Sequence, residues 1–88
     1  RIIEKISEGS LLSYHSILKD NYLIYEVRYT SKIFENIKKS KMIDHICTLT
    51  KDTLELNNND YIPLKNDVLI LRVTQKDSHL LEKIINDY

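Results

Sequence analysis

The first residues to consider are the single cysteine and two histidines, because their side chains could hold a metal ion. His45 and Cys47 lie two positions apart in a segment with strand character, and His79 begins the last helical segment. Imidazole and thiolate are common zinc ligands, so a His-Cys-His site is conceivable. A small buried cysteine beside a half-buried histidine is the simpler interpretation, since one cysteine cannot build a cysteine-rich zinc site. The sequence therefore predicts no metal site.

The same pair is a weak basis for catalysis. His45 and Cys47 should point to the same side of a strand, but no residue is identified that would orient the histidine or bind an oxyanion. Gly9 is the only glycine, and one glycine cannot form a Gly-rich loop around a phosphate group. We therefore expect a protein that is not an enzyme and that binds no cofactor.

Six tyrosines raise the idea of a surface on which single-stranded nucleic acid stacks its bases. Tyr22 could form such a surface with nearby basic residues: Arg28, Lys38, Lys39 and Lys41. Against this interpretation, Tyr25 and Tyr29 fall on the strand face that should enter the core. Thirteen basic residues also balance thirteen acidic ones, whereas nucleic-acid binders usually carry a basic surplus. We rank nucleic acid below protein as the partner.

The length and composition indicate one globular domain spanning residues 1–88. A hydrophobic fraction of 42% and a charged fraction of 30% are ordinary for a folded protein. The chain begins at Arg1, so we expect it to be a fragment of a longer protein. No apolar stretch reaches transmembrane length and no signal-peptide pattern is present, so we expect no membrane partner. Together with the lone cysteine this predicts an intracellular, cytoplasmic protein, and the absence of alanine suggests an AT-rich genome.

Two strands and a helix are predicted in the first half of the chain. Ser10–Leu18 and Tyr22–Thr30 both have strand character, and the Asp and Asn of Lys19–Asn21 favour a turn between them, so they form a β-hairpin. Thr30 and Ser31 are good N-cap residues for a helix. The apolar positions of this helix recur at helical spacing: Ile33, Phe34 and Ile37.

The second half is predicted to hold three more strands and a final helix. Ile43–Thr50 and Thr53–Leu56 are short strands, while Tyr61–Leu64 lies at a sheet edge or outside the sheet because Pro63 cannot donate to a ladder. Val68–Thr74 carries apolar residues on both faces, which is typical of a central strand. The last helix carries an apolar stripe that should fold back on the sheet: Leu80, Leu81, Ile84, Ile85 and Tyr88. The predicted order is β-β-α-β-β-β-α, which belongs to the α+β class.

A resemblance to ubiquitin-like domains lies in two segments, ILKDNYLIYEVRYTSKIFENIKKSK and NNNDYIPLKNDVLILRV. The first is similar to that family's opening hairpin and helix, and the second to its last strand. The resemblance implies a β-grasp-like mixed sheet with one helix packed across it, to which a C-terminal helix is added. It also implies a regulatory protein-interaction module whose partner is another protein or the rest of its parent chain. The family's binding patch lies on the exposed sheet face, here Val68, Ile70 and Arg72, and its Gly-Gly tail is absent.

A second resemblance, to LytTR-type DNA-binding domains, lies in MIDHICTLTKDTLELNNNDYIPLKN, which is similar to that family's closing strands. The preceding strand and helix would be YEVRYTSKIFENIKK. This resemblance implies a small DNA-binding domain of a transcription regulator, with its contacts made by basic residues: Arg28, Lys38, Lys39 and Lys41. The strand that carries the family's paired basic and histidine contacts is missing between Lys41 and Met42. We therefore keep DNA binding as the alternative function.

Overall fold

The computed structural model describes residues 11–19, 21–56 and 61–87 of the chain. These residues form a five-stranded sheet with two helices packed on one face. The strands are β1 (Leu11–Ile17), β2 (Tyr22–Arg28), β3 (Ile43–Leu49), β4 (Leu54–Leu56) and β5 (Val68–Thr74). The helices are α1 (Ser31–Lys39) and α2 (Ser78–Asp87), and a 3-10 turn, Gln75–Asp77, precedes α2. The predicted α+β class and element order are confirmed. The Asn and Asp residues of Asn57–Asp60 predict a loop, and this segment lies outside the described residues.

The strand order in the sheet is β1-β2-β5-β3-β4. We expected a mixed sheet, but every pair among the described strands is antiparallel. The reason is that β5 lies between β2 and β3 and runs antiparallel to both. β2 and β3 are therefore parallel to each other without being neighbours, and α1 connects them as in a split β-α-β unit.

β5 is the central strand that its aliphatic run predicted. Leu69, Leu71 and Val73 are buried under the helices, while Val68 and Ile70 are half-buried on the opposite side of the sheet. This alternation follows from the period of two in a β-strand. The same burial period on β2 places Leu23, Tyr25 and Val27 under the helices.

The hairpin turn between β1 and β2 differs in detail from the prediction. Leu18 and Lys19 adopt the left-handed conformation, with φ of 51° and 57°, and Asp20 lies outside the described residues. The Asn21 amide donates to the Leu18 carbonyl at 3.1 Å and helps to close the turn. The left-handed conformation costs an L-amino acid roughly 1–2 kcal/mol per residue. The chain adopts it because Ile17 must pair with Tyr22 across the hairpin.

Both helices bury one side against the sheet. The Thr30 hydroxyl accepts from the Ile33 amide at 3.2 Å and so caps α1, whose Ile33 and Ile37 are buried. In α2, Leu81 and Ile85 enter the same core, so the last helix folds back as expected. Tyr61–Leu64 forms no regular strand, in agreement with the prediction for this segment. Within the described ranges, no helix has the length and apolarity needed to cross a membrane.

Candidate interaction surface

The sheet face opposite α1 and α2 is called the open face below. It carries Val68, Ile70 and Arg72 of β5, which the sequence assigned to this side. The cross-strand register gives their neighbours on β2 and β3. Glu26 and Cys47 lie beside Ile70, Ile24 and Asp44 lie beside Arg72, and Arg28 and Leu49 lie beside Val68. The three predicted residues therefore share one surface with side chains from two other strands.

A β-bulge in β3 changes which of its side chains reach the open face. His45 pairs with Leu71 and Cys47 pairs with Ile70, so Ile46 is an extra residue in the ladder. The prediction that His45 and Cys47 share a face is therefore wrong, because one inserted residue reverses the alternation. His45 lies on the helix side, where its Nε2 is 2.9 Å from the Thr48 Oγ1.

Cys47 lies on the open face but is only 7% exposed. Burial raises the pKa of its thiol, because the thiolate would lose hydration there. The simpler interpretation of this residue, a small buried side chain, is confirmed. Among the described residues, no three His, Cys, Asp or Glu side chains lie close enough together to hold a metal ion.

An apolar patch occupies the β5-β3-β4 half of the open face. It is formed by five aliphatic side chains: Leu49, Leu54, Leu56, Val68 and Ile70. Leu54 is 54% exposed and Leu56 is 52% exposed, so the patch is most accessible at β4. The sequence did not place Leu49, Leu54 and Leu56 in this patch. The Leu-Glu-Leu alternation of β4 was the available signal, but three residues are too few to show which face is buried.

The other half of the open face is polar. The Arg72 Nη2 lies 2.5 Å from the Asp44 Oδ2, and its Nε lies 3.1 Å from the same atom. The hydrogen bond that Arg72 donates to Asp44, together with the charge of that carboxylate, raises the pKa of Arg72. The guanidinium also lies 5.4 Å from the centre of the Tyr22 ring, within range of a cation-π interaction. Arg72 is thus held in place by its own chain at the rim of the apolar patch.

The loop that leads into β5 is organised by the buried carboxylate of Asp67. Its Oδ2 accepts both from the Tyr61 hydroxyl and from the Leu64 amide, the latter at 2.9 Å. The Asp67 carbonyl accepts from the Tyr29 amide at 2.9 Å and ties the loop to the end of β2. The loop presents Ile62 and Leu64 to solvent, with exposed fractions of 71% and 64%. Nothing in the sequence pattern identified this arrangement.

The four basic residues of the DNA-binding alternative are spread over the molecule. Arg28 lies at the end of the sheet where β2 pairs with Val68. Lys38 and Lys39 end α1 and Lys41 follows in the turn before Ile43, which pairs with Val73 at the other end of the sheet. The lysines also belong to the helix layer, whereas Arg28 is a strand residue of the open face. The structure therefore does not bring the four side chains into one cluster.

Sequence comparison adds no family to this description. No protein-family model matches the chain, and no curated protein matches it significantly. The resemblances to ubiquitin-like and LytTR-type domains stay predictions. The geometry of the open face is the basis for the functional argument.

Proposed function

We propose that this chain is a non-enzymatic, regulatory protein-interaction module of the ubiquitin-like type. It binds another protein, or the rest of its parent chain, through the open face of its sheet. One observation carries this proposal. The last helix packs on the same side as α1, so the apolar patch with Val68 and Ile70 is not its docking site.

The composition of the open face supports a protein partner. Protein interfaces combine an apolar centre, which loses its water on binding, with a polar rim that sets orientation. Here Leu54, Leu56 and Ile70 supply the apolar centre, and the Arg72–Asp44 pair lies beside it. Fully burying one leucine side chain contributes about 1.5–3 kcal/mol. Covering the two half-exposed leucines would therefore contribute substantially to the free energy of binding. The partner should present apolar side chains to β4 and β5.

The test begins by capturing proteins from the native source on the immobilised chain and identifying them by mass spectrometry. Each captured protein is then purified and titrated against the wild-type chain by calorimetry. We expect Ile70→Asp and Leu56→Asp each to weaken binding about tenfold or more, because a carboxylate would have to be desolvated in the apolar centre. Ile70→Asp should keep a cooperative thermal melt.

The matched control is Leu64→Asp, which makes the same change at an exposed leucine in the loop before β5. This variant should bind like the wild type. If Leu56→Asp also binds like the wild type, or if NMR shifts on binding map to α1 and α2, the open face is not the binding site. A global unfolding of Ile70→Asp would place Ile70 in the core and exclude it from the site.

A further inference from the structure

The outer edge of β1 is the longest strand edge without a neighbour in the described part of the sheet. β1 has seven residues and pairs on one side with β2. At the opposite border of the sheet, β4 has three residues. An unpaired strand edge presents backbone amides and carbonyls that can accept a further strand.

Apart from one irregularity near its start, β1 lacks the features that usually protect such an edge. Natural edge strands carry lysine, proline, inward-pointing charges or bulges that prevent pairing. β1 reads LLSYHSI, with no Lys, Arg, Asp, Glu or Pro. Its one irregularity lies between Leu11 and Ser13, so residues 13–17 form a regular ladder. Leu12, Tyr14 and Ile17 are partly exposed along this edge.

We propose that β1 pairs antiparallel with β1 of a second copy of this chain. The two sheets then form one continuous sheet around a two-fold axis, with the helices of both copies on the same side. This dimer contact uses the edge of the sheet, so it does not depend on the function proposed for the open face.

The choice of a second copy follows from the strand itself. A two-fold axis perpendicular to the sheet leaves each side chain of residues 13–17 on the same face of the joined sheet. Tyr14 and Ser16 therefore lie on the helix side in both copies. No lysine, arginine or carboxylate of β1 faces a like charge in the partner strand. Pairing of β1 with β4 would give a ladder of three residues and leave further edges open, whereas β1 with β1 gives the longest ladder and closes as a dimer.

The first test is the mass of the chain in solution, measured by sedimentation equilibrium over a range of concentrations. We expect a species of twice 10.4 kDa. In the Ser16→Lys variant each copy contributes one ammonium group, and the two groups lie on either side of the two-fold axis. Because these like charges repel, dimerisation should weaken at least tenfold. Asn86→Lys adds the same charge on an exposed position of α2 and should leave the dimer unchanged. Circular dichroism melts check that both variants fold.

Two results would overturn the proposal. One is a wild-type chain that stays monomeric at about 1 mM, a concentration at which even weak association is visible. The other is a Ser16→Lys variant that folds and dimerises like the wild type.

Cysteine cross-linking gives a second, independent measurement. Cys47 is buried, so its thiol should not contribute to cross-links between folded chains. Cysteines placed singly at Ser13, His15 and Ile17 should include at least one that forms a covalent dimer on mild oxidation, and the position that reacts best reports the register. Asn86→Cys should form no covalent dimer under the same conditions. A dimer that forms without any cross-link along β1 would place the contact elsewhere and contradict the proposal.

Discussion

At the scale of single residues, two tyrosine hydroxyls connect separate parts of the molecule through carboxylates. Tyr25 is fully buried, and its hydroxyl donates to the Glu82 Oε2 at 3.0 Å, which ties α2 to the sheet. Burial, followed by the bond to Glu82, raises the pKa of Tyr25. The hydrogen bond to Asp67 raises the pKa of Tyr61 to about 12. In both cases the carboxylate accepts only from the protonated hydroxyl.

These two shifts predict a loss of stability at alkaline pH. The pKa of each hydroxyl is higher in the folded chain than the value near 10 of an unfolded tyrosine, so the stability it contributes is complete below about pH 10. That stability is lost as the pH rises through the pKa of the hydroxyl in the folded chain, which is about 12 for Tyr61. The midpoint of urea unfolding should therefore fall steeply above about pH 10.

Tyr25→Phe and Tyr61→Phe test the assignment of this alkaline loss. Each variant should be less stable than the wild type at pH 7 but should lose less stability above about pH 10. For Tyr25→Phe we expect about 1–3 kcal/mol at pH 7, because Glu82 is left without its donor. If the free energies of unfolding of the wild type and of both variants decrease in parallel as the pH rises, other groups cause the alkaline loss of stability.

The residues of the candidate site show how far sequence periodicity reaches. Val68 and Ile70 could be placed on the open face because seven alternating residues define both faces of β5. Leu54 and Leu56 could not, since β4 is too short to show a period. The positions of His45 and Cys47 were predicted wrongly because Ile46 bulges out of the β3 ladder, and no glycine or other local signal marks that bulge.

At the scale of elements, the helices and the hairpin follow from local signals. The start of α1 is the clearest case, because the Thr30 side chain accepts from the Ile33 amide. Thr30→Ala should cost about 1 kcal/mol in the free energy of unfolding, since that amide loses its acceptor. Thr30→Ser keeps the oxygen and should cost only a fraction of this. Urea unfolding of both variants measures the difference, and equal losses would show that the cap oxygen is not responsible.

The order of the strands is not a local property, which is why the expected mixed sheet was wrong. β5 pairs with β2, whose residues precede their partners by forty positions or more, and its place between β2 and β3 depends on these distant contacts. Apolar residues on both faces of β5 indicate a central strand but do not identify its neighbours. The alternation of its side chains was predictable, and the direction of the adjacent strands was not.

At the scale of the whole molecule, the charge distribution gives a test of the alternative function. The formal net charge is zero, and Arg28 lies at the other end of the sheet from Lys38, Lys39 and Lys41. We therefore expect no shift of a DNA duplex in a gel at about 50 mM salt, where phosphate contacts are strong. A salt-sensitive shift that disappears on charge reversal at the three lysines would support DNA binding instead. The control is charge reversal at Lys51 and Lys65, which are exposed at the opposite end of the sheet, near Leu49 and Val68.

The central position of β5 also determines when the chain can fold during synthesis. β5 is the last strand to be made, yet β2 and β3 are joined only through it. A nascent chain that ends before Val68 contains two separate hairpins, β1–β2 and β3–β4, and isolated two-stranded hairpins are marginal in water. The sheet can form only after nearly the whole domain has left the ribosome, so ribosome-bound chains ending at residue 66 should be digested rapidly by protease. Chains extended beyond Asp87 by a linker that clears the exit tunnel should resist digestion.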